Sequence, residues 1–380
     1  MNLIWTIFAL LGAVIWVSIL MLPWNPWRTR EFLDAGSPRP KEDLSDITVL
    51  IPARNEAEMI KTTLPALRAQ GRGLKIIVID DQSTDRTTET ARRAAGEKIL
   101  VVSGKPVPPG WSGKLWALQQ GLIHVRTPLT LLLDADIETL PGILGGLRIA
   151  MKEKNVQMIS LMASLRMETF WERLFMPAFI FFFKLLYPFR LSNNPLSGVA
   201  AAAGGCILLE TKPLAQIGGF KALRGELIDD CALARRIKAR GNKTWIGLTH
   251  SVRSIRPYND LGTIWNMVAR TAFTQLRYSG FLLALCTAVM ALSFLMPMLG
   301  PMIPGVIARL LCVIGFIVMI LVYLPTLKFY GRSGWWALTM PLIGTLYLAM
   351  TWTSAVRYWQ GKGSQWKGRA YAKKGDAGEK

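Results

Sequence analysis

Two kinds of apolar pattern divide this chain. Short, β-rich apolar runs recur in its middle, separated by helix-like segments; the runs are "ITVLIPA" (47–53), "KIIVIDD" (75–81), "KILVVSG" (98–104), "LTLLLDAD" (129–136) and "VQMISLM" (156–162). Uninterrupted apolar strands divided by helices are typical of a mostly parallel sheet with helices on both faces. The middle of the chain is therefore predicted to be an α/β domain of this kind.

The second pattern is the long uncharged stretch. Residues 3–22 could cross a hydrocarbon core, which takes roughly 20 helical residues, and further stretches follow at 281–304, 310–327 and 333–356. A secretory signal is the alternative for the first stretch, but this stretch has no basic leader before it and no Ala-x-Ala cleavage site after it. We expect a transmembrane anchor (1–27), a cytoplasmic domain (45–280), a C-terminal transmembrane region (281–356) and a basic tail (357–380).

Basic residues cluster beside the apolar stretches and carry much of the formal net charge of +20. They are Arg28, Arg30, Arg39 and Lys41 after the first stretch, and Arg357, Lys362, Lys367, Arg369, Lys373 and Lys374 after the last. This positive-inside pattern predicts a multi-pass protein of the inner (cytoplasmic) membrane, with its middle domain facing the cytoplasm and its basic flanks near lipid headgroups. Nucleic acid, the alternative partner for a basic chain, is not expected.

The number of membrane crossings stays open at this point. Four full spans would place the basic tail outside, so one stretch should be re-entrant or interfacial, unless a crossing is uncounted. Residues 333–356 are the first suspect because Pro341 and Gly344 interrupt them. Residues 175–189 are equally apolar but too short to span, and an interfacial helix and a buried core helix are both open alternatives.

Polar residues follow four of the predicted strands, in the order Arg54-Asn55-Glu56, Asp80-Asp81, Ser103-Gly104 and Asp134-Ala135-Asp136. In open α/β sheets, ligands bind at the carboxyl edge of the strands. We therefore expect these strand ends to converge on one crevice. An aspartate there could accept hydrogen bonds from a nucleotide base or ribose.

The Asp134-Ala135-Asp136 pair suggests a metal site. Because successive strand residues point to opposite faces, both carboxylates should face the same side, where a cation or hydrogen-bond donors must neutralise them. Mg²⁺ or Mn²⁺, shared with the phosphates of a nucleotide, would do this. A solvated pair of loop carboxylates is the alternative. The cysteines have no C-x-x-C spacing, so neither a zinc site nor a disulfide framework is expected.

Four motifs together resemble one enzyme family. "VLIPARNEAEMI", "VIDDQSTDRT", "LLLDADI" and "LIDDCALARRIKARG" occur in the order and spacing of the family 2 glycosyltransferases of the GT-A fold, which use nucleotide-sugar donors. The resemblance covers about residues 45–280. More narrowly, "PPGWSGKLWALQQG" and "LLLDADIETLPG" look like the hopanoid-associated membrane glycosyltransferases, and ceramide glucosyltransferases are similar in layout.

The resemblance implies roles for individual residues. Pro52, Ala53, Arg54 and Glu56 match the first nucleotide-contacting segment, and Asp81 matches the aspartate that binds uracil. Asp136, with Asp134 beside it, matches the motif that holds the metal and the diphosphate. Asp230 matches the catalytic base of inverting members.

Physical arguments on the second acidic pair leave alternatives open. Asp229 and Asp230 begin a helix-like segment that Gly241 closes, so Asp229 could be only an N-cap. Two adjacent carboxylates also raise one pKa, which would suit a base that takes a proton from an acceptor hydroxyl.

Three further candidates come from the flanking segments. Gly204 and Gly205 would allow close approach of the backbone to an acceptor, or only form a tight turn. Lys114 follows a Pro/Gly-rich loop and could reach donor phosphate, or simply be solvated. Arg277 in "TQLRY" is the remnant of the family's Gln-x-x-Arg-Trp motif and suits a diphosphate; Thr274 and Tyr278 replace its Gln and Trp, which weakens a polysaccharide-synthase interpretation.

Together these features predict a membrane-bound, metal-dependent, inverting glycosyltransferase. It would transfer a sugar from a UDP-sugar to a membrane-lipid hydroxyl, with a hopanoid as the suggested acceptor. Two alternatives are also enzymes: a processive polysaccharide synthase and a polyprenyl-phosphate sugar transferase. A third alternative is a non-catalytic membrane scaffold.

Overall fold

A computed structural model describes residues 2–37, 42–95, 99–361, 365–366 and 369–370. Most of the basic tail lies outside these ranges. So do several residues of the predicted charge clusters, namely Arg39, Lys41, Lys362, Lys367, Lys373 and Lys374.

Helices and strands alternate through the middle of the chain, and helices dominate its two ends. The helices are α1 (Asn2–Met21), α2 (Ala57–Arg68), α3 (Thr87–Ala95), α4 (Gly113–Leu122), α5 (Ile143–Lys154), α6 (Phe170–Leu186), α7 (Phe189–Ser192), α8 (Thr211–Gln216), α9 (Asp229–Ala239), α10 (Leu261–Ala269), α11 (Ala272–Gln275), α12 (Gly280–Met290), α13 (Met296–Leu299), α14 (Val306–Phe329) and α15 (Met340–Trp359). The strands are β1 (Ile47–Ala53), β2 (Lys75–Asp80), β3 (Ile99–Ser103), β4 (Leu129–Leu133), β5 (Ile137–Thr139), β6 (Met158–Ser164), β7 (Cys206–Glu210), β8 (Thr244–Ser254), β9 (Gln365–Trp366) and β10 (Arg369–Ala370).

The contacts group these elements into two units. The sheet unit comprises Glu31–Arg166, Leu191–Pro257 and Gln365–Lys380. The helical unit comprises Met1–Arg30, Met167–Arg190 and Tyr258–Ser364. The functional boundaries expected from the sequence, at 1–27, 45–280, 281–356 and 357–380, remain a prediction.

The sheet unit is built on a mixed sheet with the order β3-β2-β1-β4-β7-β6-β8-β5 in the described part of the chain. Strands β3, β2, β1 and β4 are parallel, which matches the pattern of continuous apolar runs. Strand β7 runs antiparallel to both of its neighbours, and β5 runs antiparallel to β8. The sheet is thus α/β as predicted, and its second half is mixed.

Each face of the sheet carries its own apolar core, because successive strand residues point to opposite faces. On β4, Leu131 and Leu133 belong to the core that includes residues of α2 and α5. Leu132 belongs to the other core, which includes residues of α4 and α9. The carboxylate of Asp134, the residue that follows the strand, lies on the face that α4 and α9 cover.

The acidic pair after β4 lies in a turn, which corrects the expectation of a strand through residue 136. Strand β4 ends at Leu133, and the Ile137 N–H donates to the Asp134 carbonyl at 3.1 Å. This turn leads into β5, which pairs with β8. The strand alternation that was to place Asp134 and Asp136 on one side therefore does not apply to them.

Helix α6 corresponds to the apolar segment at 175–189, and the choice between an interfacial helix and a buried core helix stays a prediction. A capping box of Thr169 and Glu172 starts the helix. Phe175 and Phe181 are fully buried, and Phe181 packs edge-on against Tyr323 of α14 at 5.3 Å between ring centroids. Tyr347 of α15 packs on Phe175, so these two neighbouring helices cover this side of α6.

Three helical segments in the described residues are long and apolar enough to cross a membrane: Leu3–Met21, Gly280–Met302 and Val306–Phe329. The fourth stretch expected from the sequence is not among them. There the structure has a 3₁₀ helix, Gly334–Thr339, followed by α15. This is the stretch that Pro341 and Gly344 had made suspect.

Candidate functional site

The ends of β1 and β2 are joined by their own polar residues. The Asn55 N–H donates to Ser83 Oγ at 3.0 Å, and the Asn55 side-chain oxygen accepts from the Thr84 N–H at 2.8 Å. Asn55 and Gln82 both have positive φ, of 52° and 55°. The two loops therefore turn sharply and form one rim at the carboxyl edge of the parallel strands.

Arg54 and Asp81 lie together at this rim. Asp81 is 1% exposed, and Arg54 Nη1 is 4.0 Å from its carboxylate and 2.7 Å from its carbonyl oxygen. The Gly104 N–H donates to the Asp80 carbonyl at 2.8 Å, and a Cβ at Gly104 would lie 2.7 Å from that oxygen. The first three strand ends thus converge, as the sequence predicted.

A second group of charges fills a cleft on the α4 and α9 face. Lys114, in the first turn of α4, contacts Asp134 with 2.7 Å between Nζ and Oδ1. Its side chain is 19% exposed. The cleft is also lined by Pro52, Gly204, Asp229 and Asp230.

Asp229 and Asp230 occupy the first turn of α9, and Ile228 is the N-cap residue. The capping role considered for Asp229 is therefore wrong. The Asp230 side chain accepts from the Cys231 N–H at 2.7 Å. Negative charge in the first turn of a helix is favoured by the helix dipole.

Gly204 is needed for close packing in this cleft. A Cβ there would lie 3.0 Å from Lys114 Nζ and 3.3 Å from Asp230 Oδ2. The Gly205 carbonyl accepts from the Asp134 N–H at 3.1 Å. Gly204 thus brings the backbone against charged side chains, whereas a Cβ at Gly205 would meet Ile137 and Ala163. The close approach of these glycines to an acceptor stays a prediction.

The cleft shifts the ionisation of its members. Burial raises the pKa of Asp230 to about 6, and the charge of Asp229 adds to this, while Lys114 opposes it. Burial also raises the pKa of Asp134, despite the opposing charge of Lys114. Burial alone would lower the pKa of Lys114, but the carboxylates of Asp134 and Asp229 outweigh it and hold this pKa above its usual value.

Asp136 has different partners from Asp134. Its Oδ2 lies 2.8 Å from Ser254 Oγ and 3.2 Å from Arg256 Nε, and Arg256 Nη2 is 2.5 Å from Glu56 Oε1. Arg256 was not identified from the sequence. The convergence argument covered only the four strand ends up to Asp136, so it did not include the segment "HSVRSIR" (250–256).

The residues present fit a divalent metal ion of the kind that the sequence predicts. Such ions are bound by one or two carboxylates together with substrate phosphates. In the described residues, the contacts of Asp136 are to Oδ2, which leaves Oδ1 for a metal. No group of three or more His, Cys, Asp or Glu residues that could hold a metal occurs in the described chain. Water and phosphate oxygens would therefore supply the other ligands of the ion.

Arg277 belongs to the helical unit, between α11 and α12, and has a φ of 52°. Its N–H donates to the Thr274 carbonyl at 2.9 Å. Next to it, the ring of Tyr278 stacks on that of Tyr358 at 4.4 Å. The role of Arg277 towards a diphosphate stays a prediction.

Comparison with known proteins assigns this fold. The sequence model of the family described as glycosyl transferase family 21 matches residues 91–376, which is more than half of the chain. A mannosyltransferase from Pyrobaculum calidifontis, solved with GDP-Man and Mn²⁺, superposes with a TM-score of 0.55 at 17% identity and covers 94% of this chain and 99% of its own. The expected GT-A domain with transmembrane helices is confirmed.

Curated relatives match shorter parts of the chain. A 4,4'-diaponeurosporenoate glycosyltransferase from Staphylococcus haemolyticus is 34% identical over 112 residues, which are 30% of this chain and 30% of that protein. An undecaprenyl-phosphate 4-deoxy-4-formamido-L-arabinose transferase from Edwardsiella ictaluri is 31% identical over 102 residues, which are 25% of this chain and 30% of that protein. The predicted resemblance to GT-A glycosyltransferases is confirmed, and none of these matches points to hopanoids.

The raised pKa of Asp230 predicts a stability effect with a definite sign. Because the folded-state pKa exceeds the ordinary value of 3.8, folding stability falls as the pH rises through about 6. Asp230→Asn removes this loss, so the variant should melt at a higher temperature than the wild type at about pH 8. The difference should vanish near about pH 4, where Asp230 is protonated.

Asp85→Asn is the control of opposite sign. Burial opposes ionisation of Asp85, but hydrogen bonds from Thr87 and Ala57 outweigh this and lower its pKa. The variant should therefore melt below the wild type at neutral pH. A lower melting temperature for Asp230→Asn across the whole pH range would contradict the raised pKa of Asp230 in the folded protein.

Proposed function

Because the chain belongs to glycosyl transferase family 21, we propose that it is a membrane-bound, inverting enzyme that transfers a sugar from a UDP-sugar to a lipid hydroxyl. The observation that carries this proposal is the cleft in which Lys114, Asp134 and Asp230 meet. It brings the acidic motif after β4 to the acidic pair of α9. The hopanoid acceptor rests on the motif resemblance.

The rim formed by β1 and β2 would bind the nucleotide. Buried Asp81 can accept hydrogen bonds from a uracil N–H, and Arg54 is held beside it. Pro52, Ala53 and Glu56 belong to the same segment. A nucleotide at this edge would direct its diphosphate towards the turn after β4, as ligands do in open α/β sheets.

Asp136, with Asp134 beside it, would hold the metal ion. The ion, Mg²⁺ or Mn²⁺, would supply positive charge for the leaving diphosphate. Lys114 would place a fixed positive charge next to the same motif, and its ion pair with Asp134 keeps that carboxylate in place. Arg277 is a further candidate for the diphosphate.

Asp230 would act as the general base. Its carboxylate would take the proton of the acceptor hydroxyl while the acceptor oxygen bonds to the anomeric carbon and the bond from that carbon to the diphosphate breaks. Attack from the face opposite the leaving group inverts the anomeric centre. A pKa of about 6 keeps Asp230 ionised near neutral pH and still basic enough to accept the proton. Asp229, Gly204 and Gly205 would shape the acceptor side.

The helical segments fit the proposed localisation in the inner membrane. With three spans, an N-terminus outside places the sheet unit in the cytoplasm and returns the basic tail to the same side. This arrangement satisfies the positive-inside rule, which four spans would violate. The lipid bilayer would then hold both enzyme and acceptor.

A polyprenyl-phosphate sugar transferase is the second candidate. It is favoured by the name of the Edwardsiella ictaluri relative, an undecaprenyl-phosphate transferase. The two candidates differ in the bond formed, which is either a glycosyl phosphate or a glycoside of a lipid alcohol. Mild acid therefore releases the sugar from a lipid phosphate but not from a lipid alcohol. A processive polysaccharide synthase would instead give a polymer.

The proposal is tested by incubating membranes that contain the protein with radiolabelled UDP-sugars and lipid extract, including a hopanoid alcohol. We expect one donor to yield a labelled lipid that resists mild acid. EDTA should abolish the label, and Mn²⁺ should restore it. Absence of labelled lipid with every UDP-sugar, but transfer from a GDP-sugar, would reject the UDP donor; absence with all donors would reject lipid transfer.

Asp230→Asn should lower this transfer by about 10²–10⁴-fold, the usual contribution of a general base. In the wild type, kcat/KM should fall as the pH drops through about 6, because the base becomes protonated. Asp229→Asn should move this acidic limb to lower pH, since the charge of Asp229 raises the pKa of Asp230. An acidic limb that stays in place in Asp229→Asn would argue against Asp230 as the titrating base.

A further inference from the structure

Arg256 joins two carboxylates that come from different strands. Its Nε lies 3.2 Å from Asp136 Oδ2 in the turn after β4, and its Nη2 lies 2.5 Å from Glu56 Oε1 after β1. Ser254 contacts the same Oδ2 at 2.8 Å. The end of β8 therefore reaches both the nucleotide segment and the acidic motif.

The geometry of this contact requires the guanidinium group. Arginine presents planar donors in fixed directions, so one side chain can bind two carboxylates at once. A lysine ammonium is a single point charge on a flexible chain and cannot hold both carboxylates in the same way. Glu56 is 6% exposed, so loss of its partner would leave a buried carboxylate without this compensation.

The contact also decides which oxygen of Asp136 faces a ligand. Ser254 and Arg256 both bind Oδ2, so the carboxylate cannot rotate freely and Oδ1 keeps one direction. Partners of this kind, which bind a metal ligand without touching the metal, orient the ligand and strengthen metal binding.

We propose that Arg256 is a positioning residue that holds Asp136 and Glu56 in one arrangement, so that metal binding and nucleotide binding are coupled. The inference rests on the proposed function, because it assigns Arg256 a role towards the metal and nucleotide of that reaction. Arg256 itself touches neither the sugar nor the acceptor in this assignment.

The test measures Mn²⁺ binding to the purified full-length protein with and without UDP, by the electron paramagnetic resonance signal of free Mn²⁺. Arg256→Met removes the charge and keeps much of the apolar stem. We expect it to weaken Mn²⁺ binding in the presence of UDP by about 10–100-fold, the usual cost of losing such a partner. Arg256→Lys should recover only part of this loss.

Two further variants make the result specific. Arg253→Met removes an exposed arginine three residues earlier, whose Nε contacts the His250 carbonyl, and should leave Mn²⁺ affinity unchanged. Ser254→Ala removes the other contact to Asp136 Oδ2 and should weaken Mn²⁺ binding less than Arg256→Met does. Ser254→Ala also keeps the test open if Arg256→Met does not fold, which thermal melting would reveal.

A double-mutant cycle separates coupling from general charge loss. If Arg256 acts through Glu56, then Glu56→Gln should weaken UDP binding in the wild type and add little in the Arg256→Met background. Fully additive effects would contradict the coupling.

Several outcomes would overturn the inference and leave the proposed function standing. These are wild-type Mn²⁺ affinity in Arg256→Met, full recovery in Arg256→Lys, or an equal loss in Arg253→Met. Tighter Mn²⁺ binding in Arg256→Met would show that Arg256 competes with the metal, which also contradicts a positioning role. A wild-type protein that binds no Mn²⁺ with UDP or GDP would instead reject the proposed function, and the inference with it.

Discussion

The ion pair between Lys114 and Asp134 is the contact on which the candidate site depends. Carboxylates outnumber cations in this cleft, where Asp134, Asp229 and Asp230 share the charge of Lys114. Like charges held together in a partly buried cleft are costly unless a cation lies among them. Lys114 supplies this positive charge from the first turn of α4. Helix α4 packs on the face of the sheet to which Asp134 points. Gly204 allows the approach because a side chain there would occupy the same space.

A second cation acts in a similar way on the other side of the acidic motif. Arg256 binds Asp136 and Glu56, so the two carboxylates of the motif have separate partners. The turn after β4 explains this difference, because it directs Asp134 towards α4 and Asp136 towards the end of β8. Both carboxylates thus reach the same edge of the sheet, each with its own cationic partner.

The membrane part of the chain obeys a different constraint. The segments long enough to cross a membrane are strongly apolar, and some of the polar side chains buried in this part hydrogen-bond to the backbone. Glu172, for example, is buried and accepts hydrogen bonds from the Thr169 and Tyr258 N–H groups. Buried Lys184 donates to the Arg28 carbonyl. Such contacts let α6 bury these two charged residues.

The sequence predicted the first half of the sheet well and the second half poorly. Strands β1, β2 and β3 lie within one residue of the predicted runs because the strands of a parallel sheet are continuous in hydrophobicity. The positions of the antiparallel β7 and the long β8 in the sheet were not predicted. Their pairing partners are far apart in the chain, so the pairing leaves no local sequence pattern. Arg256 was missed for this reason.

The sequence by itself determined the types of element, the apolar stretches and the polar strand ends, because each depends on the composition of a few neighbouring residues. Only the tertiary structure decided which charges meet. Lys114 and Asp134 are joined across α4 and β4, Arg256 and Glu56 across β8 and β1, and a turn, not strand alternation, sets the directions of Asp134 and Asp136. Contacts of this kind depend on how the chain returns to the same sheet edge, which local pattern does not encode.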